Sequence, residues 1–345
     1  MATSYNVGII GYGWVASAHI PAIQATGRAR VGSILSARAL DEAKLSAQHG
    51  GPVRVFRDLK SFLAQPDLDV VSVCSYPQDH AHQAIAAAQA GKHLIIEKPV
   101  ALNHEDLMAV REAVDKAGVR TCVCFECRYS SQLRTAKAFV DQGLLGRVHY
   151  AEVDYFHGIG PWYGQYRWNV RKGAGGSSLL SAGCHAMDAL LLLMGPDVET
   201  VSSYATHSSS KDFAAYEYPT TSVSILRFKD GRVGKCASVI DCQQPYYFRV
   251  QLVGSEGTLL DDKFFSSRLG GLSKKQWSRL GVPMLDSGDV SDHPYQAQFE
   301  AFFTALDEGR EMALTSLADA VVTHEVIYHA DHSAQRHDKR HGVAG

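Results

Sequence analysis

Five consecutive residues, Ile95-Ile96-Glu97-Lys98-Pro99, set a carboxylate and an amine at the end of an apolar run. Proline fixes its own φ and turns the preceding residue out of the helical region. Lys98 is therefore expected at a strand end, where open α/β sheets bind ligands. An amine held there can take up or return a proton if burial or a nearby positive charge brings its pKa toward neutrality. The plain alternative is a solvated lysine that closes a strand. What surrounds Lys98 separates the two.

A second cluster, Gly11-Tyr12-Gly13-Trp14-Val15-Ala16, fits the pattern Gly-x-Gly-x-x-Gly/Ala between an apolar run and a helix. The first glycine permits a tight turn, the second lets a pyrophosphate approach the backbone, and Ala16 allows close packing of helix on strand. A helix N-terminus adds free N–H groups and a partial positive charge. Gly11, Tyr12, Gly13, Trp14 and Val15 are thus read as dinucleotide-binding. Where an acidic residue would accept from a ribose 2′-OH, the chain has Ser36, Ala37 and Arg38, and Asp41 lies too far along. A hydroxyl and a guanidinium suit a 2′-phosphate, so NADP is favoured over NAD, unless Arg38 is only a surface residue. Together with Lys98, the turn points to a nicotinamide-dependent oxidoreductase.

The elements that must hold these groups alternate. Apolar runs at 7–10, 31–35, 69–74, 93–96 and 121–125 read as strands. Segments at 15–26, 39–45, 80–90 and 107–117 read as helices. Such alternation implies a doubly wound parallel sheet of Rossmann type over residues 1–125. The pattern then changes. Strands are expected at 149–156, 201–206, 222–228, 233–239, 247–253 and 257–260, an apolar helix at 179–194, and closing helices at 299–306 and 317–333. Asp230-Gly231 suits a hairpin turn. Residues 126–334 read as an α+β domain with a mostly antiparallel open sheet, whose closing helices can pack back on the first domain. Residues 335–345 read as a frayed tail.

The chain has 345 residues, 46% of them hydrophobic and 20% charged, with a formal net charge of -2. That fits two soluble globular domains and argues against a nucleic-acid binder, which carries a basic surplus. The apolar run Ala189–Met194 is too short to span a bilayer. The N-terminus has no signal core, so a cytoplasmic protein without a membrane partner is expected. Seven scattered cysteines are expected as reduced thiols. Cys122, Cys124 and Cys127 read as small buried hydrophobes, and no metal is expected. His324-Glu325 with His329 misses the zinc-binding spacing by one residue and reads as helix surface.

The order and spacing of further marks resemble the Gfo/Idh/MocA family (glucose–fructose oxidoreductase/inositol dehydrogenase) over nearly the whole chain. The marks are Gly11-x-Gly13, Ser75-Tyr76-Pro77-Gln78 with His82, Gly91-Lys92-His93 before Glu97-Lys98-Pro99, Arg128, and Gly143-x-x-Gly146. They continue with Gly175-Gly176, Gly183-Cys184-His185-Ala186-Met187-Asp188, Gly254-Ser255-Glu256-Gly257 and His293-Pro294-Tyr295. The resemblance implies that Ser75, Tyr76, Pro77, Gln78 and His82 line the cofactor site, with Pro77, Gln78 and His82 at its nicotinamide half. It implies that Glu97 and Lys98 flank the nicotinamide ribose and the reacting carbon, that Arg128 belongs to the substrate site, and that His185 faces Lys98 across the substrate. Many relatives carry an aspartate where this chain has Ser181, which implies a different sugar or a different hydrogen-bond pattern. A homodimer or homotetramer is implied as well.

His185 is either a ligand of substrate or a core histidine satisfied by backbone. Ser181, His185 and Asp188 recur at helical spacing, and a substrate cleft would give such polar groups partners. Asp188 is either part of that face or bonded to a cationic neighbour. Trp162, Arg167 and Trp168, with Tyr155, Phe156, Tyr163 and Tyr166, form either a sugar-binding wall or the packing under a long loop. The expected reaction passes hydride between nicotinamide and a hydroxyl or keto carbon of a sugar, cyclitol or related polyol, with Lys98 or His185 as acid/base. A cofactor-retaining glycosidase and a non-catalytic dinucleotide sensor are the alternatives.

Overall fold

A computed structural model describes residues 5–340. The chain forms two units. One takes the described residues up to Glu126 together with Asp289–Val321, and the other takes Cys127–Gly288 together with the described residues from Val322.

The first unit alternates strand and helix. Its elements are β1 (Tyr5–Ile10), α1 (Ala16–Ala25), β2 (Ala29–Leu35), α2 (Glu42–Gln48), β3 (Arg54–Phe56), α3 (Leu59–Leu63), β4 (Val70–Val73), α4 (Pro77–Gln89), β5 (His93–Ile96), α5 (His104–Ala117) and β6 (Thr121–Val123). The six strands are all parallel, in the order β3-β2-β1-β4-β5-β6. Strands covered by helices on both faces need apolar residues throughout, and β4 is buried at every position. The short edge strand β3 has no such run, and the sequence gives no sign of it. The order of strands reverses between β1 and β4, the point where doubly wound sheets open a crevice at their carboxyl ends.

The second unit begins with α6 (Ser131–Asp141) and β7 (Val148–Phe156) and passes through the short helices α7 (Tyr166–Asn169) and α8 (Lys172–Gly175). A π-helical turn at Leu179–Gly183 then leads into α9 (Cys184–Met194). Next come β8 (Val198–Thr206), β9 (Thr221–Phe228), β10 (Val233–Val239), β11 (Tyr247–Gly254), β12 (Gly257–Leu260), β13 (Lys263–Ser266) and β14 (Ser278–Arg279). Their sheet runs β14-β13-β12-β11-β7-β10-β9-β8 and is antiparallel except for the β7–β10 pair. Gly231, at φ 84°, makes the expected hairpin turn between β9 and β10. The stretch Lys172–Met194 is apolar and long enough to cross a membrane, with a mean hydropathy of 1.4, but 89% of that window is buried inside the fold. It is the core helix against which β7 and β10 pack.

The chain then enters α10 (Tyr295–Asp307) and α11 (Leu317–Arg340). The first unit ends at Glu126, one residue beyond the division expected from sequence, and Asp289–Val321 returns to it. The cause of the return is the free edge of β6. Val123 N–H donates to the Thr315 carbonyl, the Gln298 side chain donates to the Val123 carbonyl, and Leu317 N–H donates to Thr121 Oγ1, at 2.8, 2.8 and 2.9 Å. The returning segment thus covers an edge that would otherwise be exposed. The boundary between units falls inside α11, at Val321/Val322. Residues 335–340, expected in a frayed tail, are helical; residues 341–345 lie outside the described residues. The His337 ring stacks on Tyr204 at 4.4 Å, and its Nδ1 donates to the Ser203 carbonyl at 2.8 Å, which ties down the last turns.

Candidate active site

The glycine turn stands at the reversal point of the first sheet. Gly11 has φ 87°, and a Cβ there would lie 2.8 Å from the Cys74 carbonyl oxygen. Gly13, by contrast, would point a Cβ into open space, with nothing within 4 Å. No side chain caps α1, while Ser17 and Ala18 N–H donate to the Trp14 and Val15 carbonyls at 3.1 and 2.9 Å, so a phosphate here would meet a helix start without a competing side chain. Val15 precedes α1, and Trp14 beside it is 40% exposed. At the end of β2, Ser36 is buried and its Oγ accepts from Arg38 N–H at 3.1 Å. The exposed Arg38 guanidinium folds back to donate to the Tyr12 carbonyl. A tight first glycine, an open second one and an uncapped helix are what a dinucleotide pyrophosphate needs, so these residues fit that group.

Lys98 lies just past β5, half-buried, and its bond to Pro99 is cis. Glu97 beneath it is 4% exposed. Its Oε1 accepts from His19 Nε2 at 2.9 Å and from the Tyr295 hydroxyl at 3.0 Å, while Oε2 accepts from Lys98 N–H at 3.2 Å. Burial opposes ionisation of Glu97, but the hydrogen bond and charge of His19, and then Lys98, hold it below the ordinary carboxylate range. Burial likewise opposes a charge on His19, but Cys74 and Glu97 outweigh it and raise His19 to about 10. His19, Glu97 and Cys124 offer ligand atoms within 4.8 Å of one another, yet His19 and Glu97 are already bonded directly.

The neighbouring strand end is fastened by His80. Its ring nitrogens lie 2.7 and 3.1 Å from the carbonyl oxygens of Pro99 and Ser75. Burial pushes its pKa down, against the pull of both carbonyls. His82, two residues on, is exposed on α4, as are Gln78 and Tyr76 beside its start. Pro77 is the first residue of α4, and the Ser75 hydroxyl donates to Gln83 Oε1 at 2.6 Å. His293 Nδ1 meets Glu126 Oε1 at 2.8 Å; burial opposes its charge, and Glu126 raises its pKa in spite of that. His19, His80 and Glu126 are functional candidates that sequence reasoning did not single out, and His293 and Tyr295 stand in a mark of the resemblance that carried no role. Their partners are brought together only by the fold.

In the second unit the apolar helix is interrupted where the polar residues lie. A Cβ on Gly183 would stand 2.3 Å from Ser238 Cβ, and Ser238 Oγ donates to the Ser178 carbonyl at 2.8 Å. The π turn thus lies directly on β10. π turns are frequent at functional sites. Ser181 lies in that turn, 6% exposed, and accepts from the Tyr218 hydroxyl at 3.4 Å. His185, in the first turn of α9, is 4% exposed.

Asp188 accepts from Arg128 Nε and Nη2, both at 2.7 Å, and from Thr323 Oγ1 at 2.9 Å. Of the two readings of Asp188, the structure supports the cationic neighbour. Arg128, implied as a substrate residue, turns two of its nitrogens to this carboxylate.

Part of the aromatic segment is packed and part of it is exposed. His157 packs against Tyr163 and Tyr246 with centroids 4.7 and 5.3 Å apart. Trp162 stays 59% exposed while its Nε1 donates to the Gly158 carbonyl at 3.0 Å. Arg167 is exposed on α7 and Trp168 half-buried. His324 is fully buried in α11, contrary to its reading as helix surface, because it lies on the packed side of a helix whose His329 is exposed. All seven cysteines are free thiols.

Comparison with known proteins gives the arrangement a family. The description "Oxidoreductase family, NAD-binding Rossmann fold" fits residues 5–125, and the GFO/IDH/MocA C-terminal domain fits residues 133–260. The chain is 26% identical to myo-inositol 2-dehydrogenase of Thermotoga maritima over 257 residues, 74% of this chain and 75% of that one. It is 26% identical to D-xylose 1-dehydrogenase (NADP(+)) 2 of Haloferax volcanii over 293 residues, 84% and 85% of the two chains. A solved levoglucosan dehydrogenase in complex with NADH and levoglucosan shares the fold, with a TM-score of 0.84 at 22% identity over 97% of this chain and 98% of that one. The chain belongs to the Gfo/Idh/MocA oxidoreductase family.

Proposed function

We propose that this chain is an NAD(P)-dependent dehydrogenase that oxidises a secondary hydroxyl of a cyclic sugar, cyclitol or related polyol, or reduces the matching ketone. The observation that carries the reading is Lys98 at the end of β5, its backbone held by the buried carboxylate of Glu97. The relatives named for myo-inositol and D-xylose support the substrate class. The dinucleotide, when bound, supplies the hydride acceptor at nicotinamide C4.

Lys98 Nζ, as a neutral amine, takes the proton of the substrate hydroxyl. The O–H electron pair becomes the second carbon–oxygen bond as hydride leaves that carbon. In the reverse direction the ammonium returns the proton to the forming alkoxide. To His185 and Ser181 we assign the orientation of substrate hydroxyls, and to Trp162, Arg167 and Trp168 the outer recognition of the ring. Pro77, Gln78 and His82 are assigned to the nicotinamide half of the cofactor. Ser36 and Arg38 favour NADP, because a guanidinium beside the turn meets a 2′-phosphate better than a bare ribose.

The free thiols support a reducing, cytoplasmic setting. The exposed apolar side chains of Tyr204, Val223, Ile225, Val233 and Tyr247 on the open sheet support a homo-oligomer. The test is a panel of sugars and polyols with each dinucleotide, read at the absorbance of the reduced nicotinamide. Turnover of a cyclic polyol that depends on added dinucleotide is expected. Turnover without added dinucleotide, or none across the panel, contradicts the reading.

A further inference from the structure

Beneath Lys98 lies a buried polar chain that proton transfer does not itself use. His19 is fully buried on α1, between the rings of Tyr295 and Phe299 at 4.7 and 5.0 Å. An imidazole on the packed face of an apolar helix is costly unless both nitrogens are satisfied. Here Nε2 reaches Glu97 at 2.9 Å, and Nδ1 lies 2.9 Å from Ser72 Oγ and 3.3 Å from Cys74 Sγ.

The groups facing Glu97 come from every element around it. Lys98 follows it in the chain. Cys74 closes β4, and His80 lies on α4. Cys124 and Glu126 follow β6, and His293 and Tyr295 come from the returning segment. Burial keeps the Cys124 thiol and the Tyr295 phenol neutral and opposes a charge on His80. Glu126 is already matched with His293. The cationic groups that hold Glu97 ionised are His19 and then Lys98.

We propose that His19 is a positioning residue for the reaction: as an imidazolium it balances Glu97, so that Glu97 braces the Lys98 backbone without drawing the Lys98 amine into a second ion pair. This rests on the reading of Lys98 as the proton-transfer group. Without the imidazolium, the charge of Glu97 acts on Lys98 unopposed by His19. An opposite charge favours the protonated amine, and a protonated amine cannot accept the hydroxyl proton.

The experiment is the pH profile of single-turnover alcohol oxidation in four proteins: the parent, His19→Gln, Glu97→Gln and the double variant. His19→Gln keeps a donor toward Glu97 but not the charge. Its rate should reach half-maximum about one pH unit or more above the parent. Adding Glu97→Gln should bring the midpoint back to the parent value or below it, a rescue that a merely structural role would not give. If His19→Gln does not fold, His19→Asn takes its place, with the same rise of the midpoint and the same rescue by Glu97→Gln expected. A midpoint unmoved in the His19 variant, or a double variant that fails to restore it, overturns the proposal. Lys98→Met, run alongside, separates the two readings: if it keeps the parental rate and profile, the assignment of Lys98 itself has failed.

Discussion

Arg128 and Asp188 meet in a buried bidentate pair, Nε on Oδ2 and Nη2 on Oδ1, each at 2.7 Å. The pair joins the start of the second unit to α9, one turn beyond His185. Removing one partner of a buried pair leaves the other charged and unmatched, which costs about 3–5 kcal/mol. Asp188→Asn should therefore lower the urea midpoint by that equivalent. Arg128→Met with Asp188→Leu should cost less, because no charge is left behind. Equal and small losses in both variants would return the pair to a surface-like role.

Much of this was legible in sequence where the signal is local. Buried parallel strands read as apolar runs, the glycine turn matches a known steric need, and Asp230-Gly231 announces its hairpin. β3, β13 and β14 were missed because each is short and polar at one end, at both ends or throughout, with no buried apolar run like those of β4 and β5. The helix Ser131–Asp141 did carry a signal, with Ser130 capping it and Leu133, Ala136 and Phe139 on its buried side. The π turn was not legible, because an apolar stretch looks alike with either winding. His19 and Glu97 are 78 positions apart and Arg128 and Asp188 are 60 apart, so no spacing rule couples them. His80 and His82 differ only in which side of α4 they occupy, and the resemblance drew attention to the exposed one.

The end of β2 makes its own prediction about the cofactor. Ser36→Asp with Arg38→Leu places a carboxylate that accepts from a 2′-OH and repels a 2′-phosphate. The ratio of kcat/KM for NADP to that for NAD should fall at least tenfold. A parent that already prefers NAD strongly would show that Arg38 does not choose the dinucleotide.

His185→Ala should lower kcat more than it weakens dinucleotide binding, because loss of a contact made in the transition state lowers kcat while loss of ground-state binding raises KM alone. Single-turnover rate and dinucleotide affinity, measured on the same folded variant, make the comparison. Unchanged turnover, or a loss of stability with no other effect, would make His185 a core residue.

The central claim is that Lys98 carries the proton. The most direct measurement is single-turnover hydride transfer in Lys98→Met, on protein whose thermal melt and dinucleotide affinity match the parent. General acid–base groups contribute about 10²–10⁴-fold, and a loss in that range is predicted, together with disappearance of the parental pH dependence. A rate within a few-fold of the parent would contradict the account.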